Sequence, residues 1–533
     1  MERWLNLFPT PEDDMSVSTP TRRKVAVRAG IALATLSAVI AAPLPAVAAP
    51  AAAPSLSWSA CTEEDLAGYQ CATTEVPLDH DRPGGPTTTI ALARRPAGDP
   101  AQRIGTIFVN PGGPGGAGRF MATIAGQLVS ADVLARFDIV GFDPRGIGAS
   151  DPLQCFATDA EAEALLAQMK YVPLSKQDIA STLRANYAYT EGCKRNAGPL
   201  LEHMSTLNVA KDLDLLRRRV GDAKLSYIGY SYGTHLGATY VNLFPGKVRA
   251  VVLDGNVDPD QRANRRLANK FDRAGGFELA LDGFLRACDA AGPACALSGD
   301  ARAKYEKVRL RFRQGPVTLP GYGVVTIDDL TSFVSSTMYD VAAFPEAAEV
   351  LRLAYDTITG APAVLKAPTR DLKAVPARGG MPDAYSYTGN DAFFAVNCAD
   401  APLPRNPALY PGFAKVFEAA HPTFGRAEAF GEVGCANWPR VTERYAGPWD
   451  RKTSATVLLV NPTYDPATRY DFARRMEREL GNARLLTMTG FGHTSSFSAC
   501  VTDWYTKYLI AGTVPPKGTV CEQDRAPFPA ANS

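Results

Sequence analysis

The five residues Gly229-Tyr230-Ser231-Tyr232-Gly233 constrain the fold of this chain more than any other feature. They follow an apolar, strand-like run at 225–228 and precede a helical stretch that begins near Thr234. A G-x-S-x-G at a strand-to-helix junction is a nucleophile elbow, in which a cramped turn exposes the serine hydroxyl and small neighbours let strand and helix approach. The pattern predicts Ser231 as a nucleophile, and the alternative is an ordinary glycine turn.

An elbow serine needs a general base, and His493 is the best candidate among five histidines. It follows a strand-like run at 484–488, in a glycine-containing loop that could carry an imidazole over the sheet edge. The alternative is a loop histidine that only packs. The other four suit the role poorly, because they precede the serine, lie on the helix after it or have no strand ahead of them: His80, His203, His235 and His421.

Asp465 is the predicted acid, because it lies in the loop past the carboxyl end of a continuous apolar strand at 456–460. This gives the chain order Ser, Asp, His that the elbow architecture uses. The rival acid is Asp254, which ends another apolar run at 251–253. Since Gly255 and Asn256 follow it, Asp254 also fits a turn-forming aspartate, and we favour that interpretation.

The stretch Asn110-Pro111-Gly112-Gly113-Pro114-Gly115-Gly116 follows a strand and predicts an oxyanion site. Its glycines leave backbone N–H groups unshielded, and the natural donors are those of Gly113 and Tyr232. A phosphate-binding loop is disfavoured, since neither G-K-[ST] nor G-x-G-x-x-G opening a helix occurs here. In the next loop, we expect Asp143 and Arg145 to form a structural ion pair that braces the glycine loop.

These motifs together resemble the secreted actinobacterial tripeptidyl aminopeptidases of the α/β-hydrolase superfamily, in the peptidase group that includes the prolyl aminopeptidases. The glycine loop, D-P-R-G-x-G-x-S, G-Y-S-Y-G with F-P-x-x-V-x-x-V-V-L-D-G, and the C-terminal D-P and G-x-G-H segments match in order, over about residues 55–525. The resemblance implies an α/β-hydrolase fold with a mostly parallel central sheet. Prolyl aminopeptidases usually have His before the glycine loop and D-Q-R-G; here Pro111 and Asp143-Pro144-Arg145-Gly146 stand instead, which favours the tripeptidyl branch.

The length of 533 residues exceeds a minimal hydrolase domain by about one domain. Alternating strands and helices predict a core at 58–260 and 451–533, with a largely helical cap at 261–450 inserted after the sixth strand. Caps at this point select substrates, and the stretch from Pro376 to Pro382 fits a flexible lid segment. A helix before the elbow strand is predicted to pack on the core through Val209, Leu213, Leu216 and Val220.

The first 48 residues predict a signal peptide, and residues 49–57 a flexible or pro-segment. Basic residues at 22–28 precede an apolar run at 31–40, too short for a permanent membrane span, and Ala46-Val47-Ala48 supplies an A-x-A cleavage site. Translation could instead begin at Met15. Arg22-Arg23 leaves twin-arginine export open, but the following residues favour general secretion.

Ten cysteines agree with an oxidising, extracellular destination. Their spacing suggests local pairing, although sequence alone does not fix the connectivity. Metal binding is disfavoured, since neither C-x-x-C nor H-E-x-x-H occurs. The suggested pairs are Cys61–Cys71, Cys155–Cys193, Cys288–Cys295, Cys398–Cys435 and Cys500–Cys521.

The nearly balanced charge, 56 basic against 55 acidic residues, gives no support to a nucleic-acid or anionic-membrane partner. We expect a monomeric, cofactor-independent serine exopeptidase acting on peptides with a free N-terminus. Its cap should hold the substrate ammonium with carboxylates, for which Glu432 and Asp400 are candidates, the alternative being ordinary surface carboxylates. The rival functions are an exported esterase or amidase with the same triad, and a catalytically dead binding module.

Overall fold

Parallel β-strands dominate the computed structural model, which describes residues 55–361, 372, 391–441, 443–495 and 497–529. Ten strands form the main sheet, and two short ones form a separate hairpin. The strands of the main sheet are β1 (Ser59–Ala60), β2 (Gln70–Pro77), β3 (Thr87–Arg95), β4 (Gly105–Asn110), β5 (Phe137–Phe142), β6 (Leu225–Tyr230), β7 (Val248–Asp254), β10 (Val457–Tyr464), β11 (Ala483–Phe491) and β12 (Val520–Glu522), and the hairpin consists of β8 (Val317–Leu319) and β9 (Gly323–Val325).

The strand order in the main sheet is β1-β2-β3-β5-β4-β6-β7-β10-β11-β12. Antiparallel pairing joins β1 to β2, β2 to β3 and β3 to β5, and every later pair is parallel. This confirms the mostly parallel sheet. Because the carboxyl ends of β4, β6, β7, β10 and β11 meet at one edge, the loops that follow these strands are neighbours in space.

Central strands of this sheet are buried on both faces, as their continuous apolar runs predict. Within β10, Val457 and Leu459 pack into one core cluster while Leu458 and Val460 pack into another. This alternation follows from the period of two in strand side-chain direction. The two clusters therefore mark the two faces of the sheet.

Helices cover both faces of the sheet and connect its strands. The helix predicted before the elbow strand is present, and its Val209, Leu213 and Leu216 are buried against the sheet while Val220 is its C-terminal cap residue. The helices of this part are α1 (Ala125–Leu128), α2 (Ala131–Arg136), α3 (Asp159–Leu166), α4 (Lys176–Asn196), α5 (Thr206–Arg219), α6 (Tyr232–Leu243), α7 (Pro259–Asn264), α15 (Tyr470–Glu479) and α16 (Ala499–Ala511).

Between β7 and β10 the chain leaves the sheet and is mostly helical. The insertion follows β7, which is the sixth strand if the two-residue β1 is not counted. Among the described residues, its only sheet element is the β8–β9 hairpin. Its core includes Phe277, Phe284, Phe344 and Leu351. Its helices are α8 (Arg266–Ala291), α9 (Ala301–Phe312), α10 (Ile327–Thr337), α11 (Phe344–Thr359), α12 (Asp391–Asp400), α13 (Tyr410–Ala420) and α14 (Gly425–Phe430).

Three sequence predictions lie outside the described residues: the signal peptide at 1–48, most of the segment at 49–57, and the lid segment from Pro376 to Pro382. Among the described residues, no helix combines the length and the apolar character that a membrane crossing needs. Five disulfides are present, and they join the same pairs that the cysteine spacing suggested: Cys61–Cys71, Cys155–Cys193, Cys288–Cys295, Cys398–Cys435 and Cys500–Cys521.

Candidate active site

Ser231 occupies the turn between β6 and α6, with φ +54° and ψ −121°. A non-glycine residue at positive φ is strained, and such strain concentrates at functional sites because the surrounding structure holds it. Here the Ser231 N–H donates to the Asp254 carbonyl at 2.9 Å, and the Thr234 N–H donates to the Ser231 carbonyl at 2.9 Å. Both bonds fix the turn from its two sides, so the predicted nucleophile elbow is present as a conformation.

The glycine loop lies directly against this elbow. Gly112 and Gly113 have φ values of +99° and +109°. A Cβ on Gly112 would stand 2.5 Å from the Tyr230 carbonyl oxygen and 3.1 Å from the Tyr232 nitrogen, so only glycine fits there. The Tyr232 N–H is the first of α6 and therefore has no acceptor within its own helix. The arrangement brings the two predicted oxyanion segments, at Gly113 and Tyr232, side by side.

Asp143 braces the glycine loop, but not by the predicted ion pair with Arg145. One carboxylate oxygen of Asp143 accepts the N–H groups of Gly118 and Arg119 at 2.7 and 3.0 Å, and the other accepts that of Ala149 at 3.0 Å. Its complete burial raises the pKa of Asp143.

Arg145 turns away from the glycine loop and binds Asp212 through two nitrogens, at 2.6 and 2.7 Å. It also donates to the carbonyl of Leu78 at 2.8 Å, just past the end of β2. The prediction of an Asp143–Arg145 pair is therefore wrong, because the acceptors that complete the Arg145 guanidinium come from α5 and from the end of β2.

His493 and Asp465 are brought together at the ends of β11 and β10. The Nδ1 atom of His493 lies 3.0 Å from both carboxylate oxygens of Asp465. Asp465 is completely buried and also accepts the N–H groups of Ala467, Thr468 and Thr494 at 2.7–3.1 Å. These donors satisfy the carboxylate and fix its plane, so it can hold one tautomer and one orientation of the imidazole.

Asp254, the rival acid, contacts the histidine loop two residues beyond His493. Its carboxylate accepts from the Ser495 N–H at 3.0 Å, from the Ser495 hydroxyl at 2.5 Å and from the Tyr505 hydroxyl at 2.7 Å. Burial raises the pKa of Asp254 to about 6. Gly255 has φ +70°, and a Cβ there would come within 3.0 Å of the Thr494 side chain. The turn is thus built to let the histidine loop pack on it, while Asp465 is the carboxylate that meets the imidazole.

The remaining histidines are held elsewhere. The Nε2 atom of His80 lies 2.8 Å from Asp212, and His203 lies 3.6 Å from Glu443. His235 is buried between the rings of Tyr232 and Trp449, and burial lowers its pKa well below the usual value of an imidazole. The ring of His421 packs on Phe271.

Glu432 and Asp400, the predicted ammonium ligands, are buried and already paired. Glu432 forms a two-oxygen ion pair with Arg266, and Lys270 is 3.6 Å away, which together hold the pKa of Glu432 far below its usual range. Asp400 accepts from the N–H and the hydroxyl of Thr206 at 2.8 and 2.7 Å.

Both acids therefore belong to a buried cluster of ion pairs between four basic and three acidic residues: Arg262, Arg266, Lys270 and Arg273 with Asp400, Glu432 and Glu428. Neither predicted residue lines the space beside Ser231. The sequence prediction is corrected accordingly: an ammonium at either carboxylate would have to displace a guanidinium from a buried ion pair, which is costly.

Tyr339 is a site residue that the sequence did not reveal. It follows α10 in the insertion, and its ring packs edge-on against the His493 imidazole at 5.0 Å between centroids. The backbone N–H of His493 donates to the Tyr339 carbonyl at 2.8 Å. No local pattern marks this tyrosine, because its contact arises only when the insertion docks on the core.

Ser231 and His493 line one cavity of about 310 Å³. This volume lies at the lower end of the range for small-molecule sites. The site thus combines a strained serine, a histidine held by a buried aspartate, and a glycine loop against the first N–H of a helix. That set can carry out acyl transfer through a covalent serine intermediate.

Comparison with known proteins agrees with this geometry. Residues 105–291 match the family model described as alpha/beta hydrolase fold, and residues 421–521 match the one described as TAP-like protein. The chain is 32% identical over 495 residues to the tripeptidyl aminopeptidase of Streptomyces lividans, with 90% of this chain and 89% of that protein covered. It is 31% identical over 497 residues to the serine protease Hip1 of Mycobacterium tuberculosis, with 87% and 91% covered. It is 32% identical over 492 residues to carboxylesterase B of the same species, with 89% and 91% covered.

Proposed function

Because this chain belongs to the tripeptidyl aminopeptidase family of α/β-hydrolases, we propose that it is a serine exopeptidase that releases short peptides, tripeptides foremost, from free N-termini. The single observation that carries the proposal is the His493–Asp465 pair in the loops beside the Ser231 elbow. The relatives named as peptidases align with 87–90% of the chain.

In the proposed mechanism, the Ser231 hydroxyl attacks the scissile carbonyl carbon while His493 takes its proton. The N–H groups of Gly113 and Tyr232 donate to the oxygen on which negative charge develops. Collapse of this intermediate expels the leaving amine, which receives the proton from His493 and leaves an acyl-enzyme. Water then attacks the acyl carbon, with His493 as base, and the N-terminal peptide is released.

Asp465 has a distinct role in this scheme. Its buried carboxylate fixes the imidazole tautomer in which Nδ1–H donates to Asp465, so Nε2 is free to take the serine proton. The same carboxylate stabilises the imidazolium that forms during attack. Its additional N–H donors keep the carboxylate oriented.

The proposed destination is extracellular. Five disulfides in one chain are typical of an oxidising compartment, and they support export. Predicted signal-peptide features at the N-terminus point to the same destination. The proposal includes a monomeric enzyme whose substrates are unblocked peptides.

A second candidate is an esterase or amidase with the same triad, which the match to carboxylesterase B at equal identity favours. The two differ in whether the protein reads the amino end of its substrate. An ammonium held by buried acceptors is lost on acetylation and leaves those acceptors unpaired.

The test is a steady-state comparison of one tripeptide p-nitroanilide with a free and with an acetylated N-terminus, beside a p-nitrophenyl ester series. The exopeptidase proposal expects kcat/KM to fall at least about a hundredfold on acetylation, which corresponds to about 2.7 kcal/mol. A ladder of unblocked peptides reports the length of the released product. Equal rates for free and blocked peptides, with faster ester cleavage, would transfer the assignment to the esterase. Ser231→Ala is the control for contaminating peptidases.

A further inference from the structure

Among the residues that the structure describes, those that line the cavity at Ser231 all belong to the core. Its wall consists of residues from the glycine loop and α1, from the elbow and the end of β7, and from the histidine loop and α16: Pro111, Met121, Gln127, Leu128, Tyr230, Ser231, Asp254, His493, Thr494, Ser495, Phe497, Ser498, Val501, Thr502 and Tyr505. All of these lie outside the inserted region at 261–450. The insertion instead touches the other side of the catalytic loop, through Tyr339 on His493.

The position of His493 indicates which part of the substrate this cavity holds. In acyl transfer the histidine protonates the leaving amine, so the part of the substrate after the scissile bond lies on the side of the imidazole. Thr494, Ser495, Phe497 and Ser498 follow His493 in the chain and form the wall on that side. This step rests on the proposed exopeptidase function. The N-terminal part of the substrate is assigned to the side of the insertion, so the leaving peptide must lie along the core.

We propose that this cavity is the subsite for the first residue of the leaving peptide, the P1′ residue, and that Phe497 makes it select apolar and aromatic side chains. Met121, Leu128 and Val501 supply further apolar wall. The polar groups of Gln127 and Thr502 lie in the same wall and suit the peptide backbone.

Phe497 is held in a conformation that needs support. Its φ is +58°, and its side chain is 45% exposed although it is a large apolar residue. The Asp524 N–H donates to the Phe497 carbonyl at 2.7 Å, and the Arg525 guanidinium lies 5.2 Å from the ring centroid. A phenylalanine with a left-handed backbone conformation at the rim of this cavity costs stability, which is typical of a residue placed for binding.

The subsite can be measured apart from the acyl side by aminolysis of the acyl-enzyme. An added amino-acid amide occupies the P1′ position, and its amine nitrogen attacks the acyl carbonyl carbon. A C–N bond forms, the bond to Ser231 Oγ breaks, and His493 transfers the proton from the amine to Oγ. The ratio of aminolysis to hydrolysis for phenylalaninamide, leucinamide, glycinamide and aspartic acid amide, with one acyl donor, reports nucleophile binding in this cavity.

We expect the wild type to favour phenylalaninamide over glycinamide by about tenfold, and Phe497→Ala to lower that preference at least about fivefold. Phe497→Trp should restore most of it, and Phe497→Leu should retain the leucinamide preference while losing the aromatic one. Val416→Ala, at an apolar side chain 56% exposed on α13, is the matched control and should leave the ratios unchanged.

Two results would overturn the proposal. One is a wild-type ratio that does not differ between phenylalaninamide and glycinamide. The other is a Phe497→Ala variant that changes selectivity among acyl donors with different P1 residues while its amide ratios stay constant, which would assign the cavity to the acyl side. The ratio of aminolysis to hydrolysis is measured with an ester donor as well. If the exopeptidase proposal fails, unblocked peptides will not be hydrolysed, but this ratio can still be measured with the ester.

Discussion

Asp254→Asn tests whether a buried carboxylate without a cation anchors the histidine loop. Asp254 is 2% exposed, its three donors are neutral groups of Ser495 and Tyr505, and no cation pairs with it in the described part of the chain. Desolvation is the largest cause that raises its pKa from 3.8 to about 6, and the charge of Asp465 adds to it. The ionised form is therefore less stable in the folded protein than in the unfolded chain.

The sign of the pH dependence follows from this direction. A folded-state pKa above the unfolded value contributes stability that is fully present below pH 3.8 and is lost as the pH rises through about 6. The rise from 3.8 to about 6 corresponds to about 3 kcal/mol at 1.36 kcal/mol per pKa unit. Asparagine keeps the shape of the side chain and cannot ionise. Asp254 is already half ionised in the unfolded chain near pH 4, so part of this stability is lost before the range begins. The free energy of unfolding of Asp254→Asn minus that of the wild type should therefore increase by about 2 kcal/mol between pH 4 and pH 7.

The assay is urea unfolding, followed by tryptophan fluorescence at pH 4, 5, 6 and 7, for the wild type and the variant. Asp503→Asn is the matched control, because it removes the same charge from a side chain that is 57% exposed instead of from the interior. A flat difference for Asp254→Asn would refute the reasoning, and a difference that falls with rising pH would show that Asp254 gains stability from ionisation.

Three further variants test the site. Ser231→Ala should lower kcat by at least about four orders of magnitude with an unchanged thermal midpoint, since the acyl-enzyme forms on the Ser231 hydroxyl; retention of a tenth of the activity would exclude Ser231 as nucleophile. Asp465→Asn should lower kcat by about 10³–10⁴ with a modest change in KM, because asparagine cannot stabilise the imidazolium; if Asp254→Asn shows that kinetic loss and Asp465→Asn does not, the two acids have the opposite roles. Glu432→Gln should destabilise the fold by about 3–5 kcal/mol in urea unfolding, because it leaves Arg266 buried without its countercharge; a change confined to KM for unblocked substrates would instead restore Glu432 as an ammonium ligand.

Local patterns in the sequence were sufficient for the elements that position the site. The apolar run at 457–460 is a central strand because both of its faces are buried, and the residues after it then have to lie at the carboxyl edge of the sheet. The pattern that predicts the elbow is equally local, since Ser231 and its glycines lie within five residues, although the Asp254 carbonyl at the end of β7 also holds the turn. In both cases the pattern that predicts the structure lies within one segment.

Side-chain partners could not be predicted in the same way. Arg145 lies two residues from Asp143, yet it binds Asp212, which is 67 residues away in the chain. Nothing in the sequence shows that Asp400 and Glu432 are paired. Asp400 on α12 meets Arg262 of α7, and Glu432 after α14 meets Arg266 of α8, only once these helices pack together. Spacing along the chain shows which charges are available, but the packing of helices decides which of them meet.

The contact between Tyr339 and His493 links the insertion to the residue that we propose as the base. The backbone N–H of His493 donates to the Tyr339 carbonyl at 2.8 Å, and the Tyr339 ring packs edge-on against the imidazole. A Cβ on Gly492 would stand 3.0 Å from the same carbonyl oxygen, so the two segments are in close contact on both sides of this hydrogen bond. Any movement that lifted the end of α10 would therefore break this hydrogen bond and the ring contact with His493. The position of the His493 loop therefore depends in part on how the insertion packs against it.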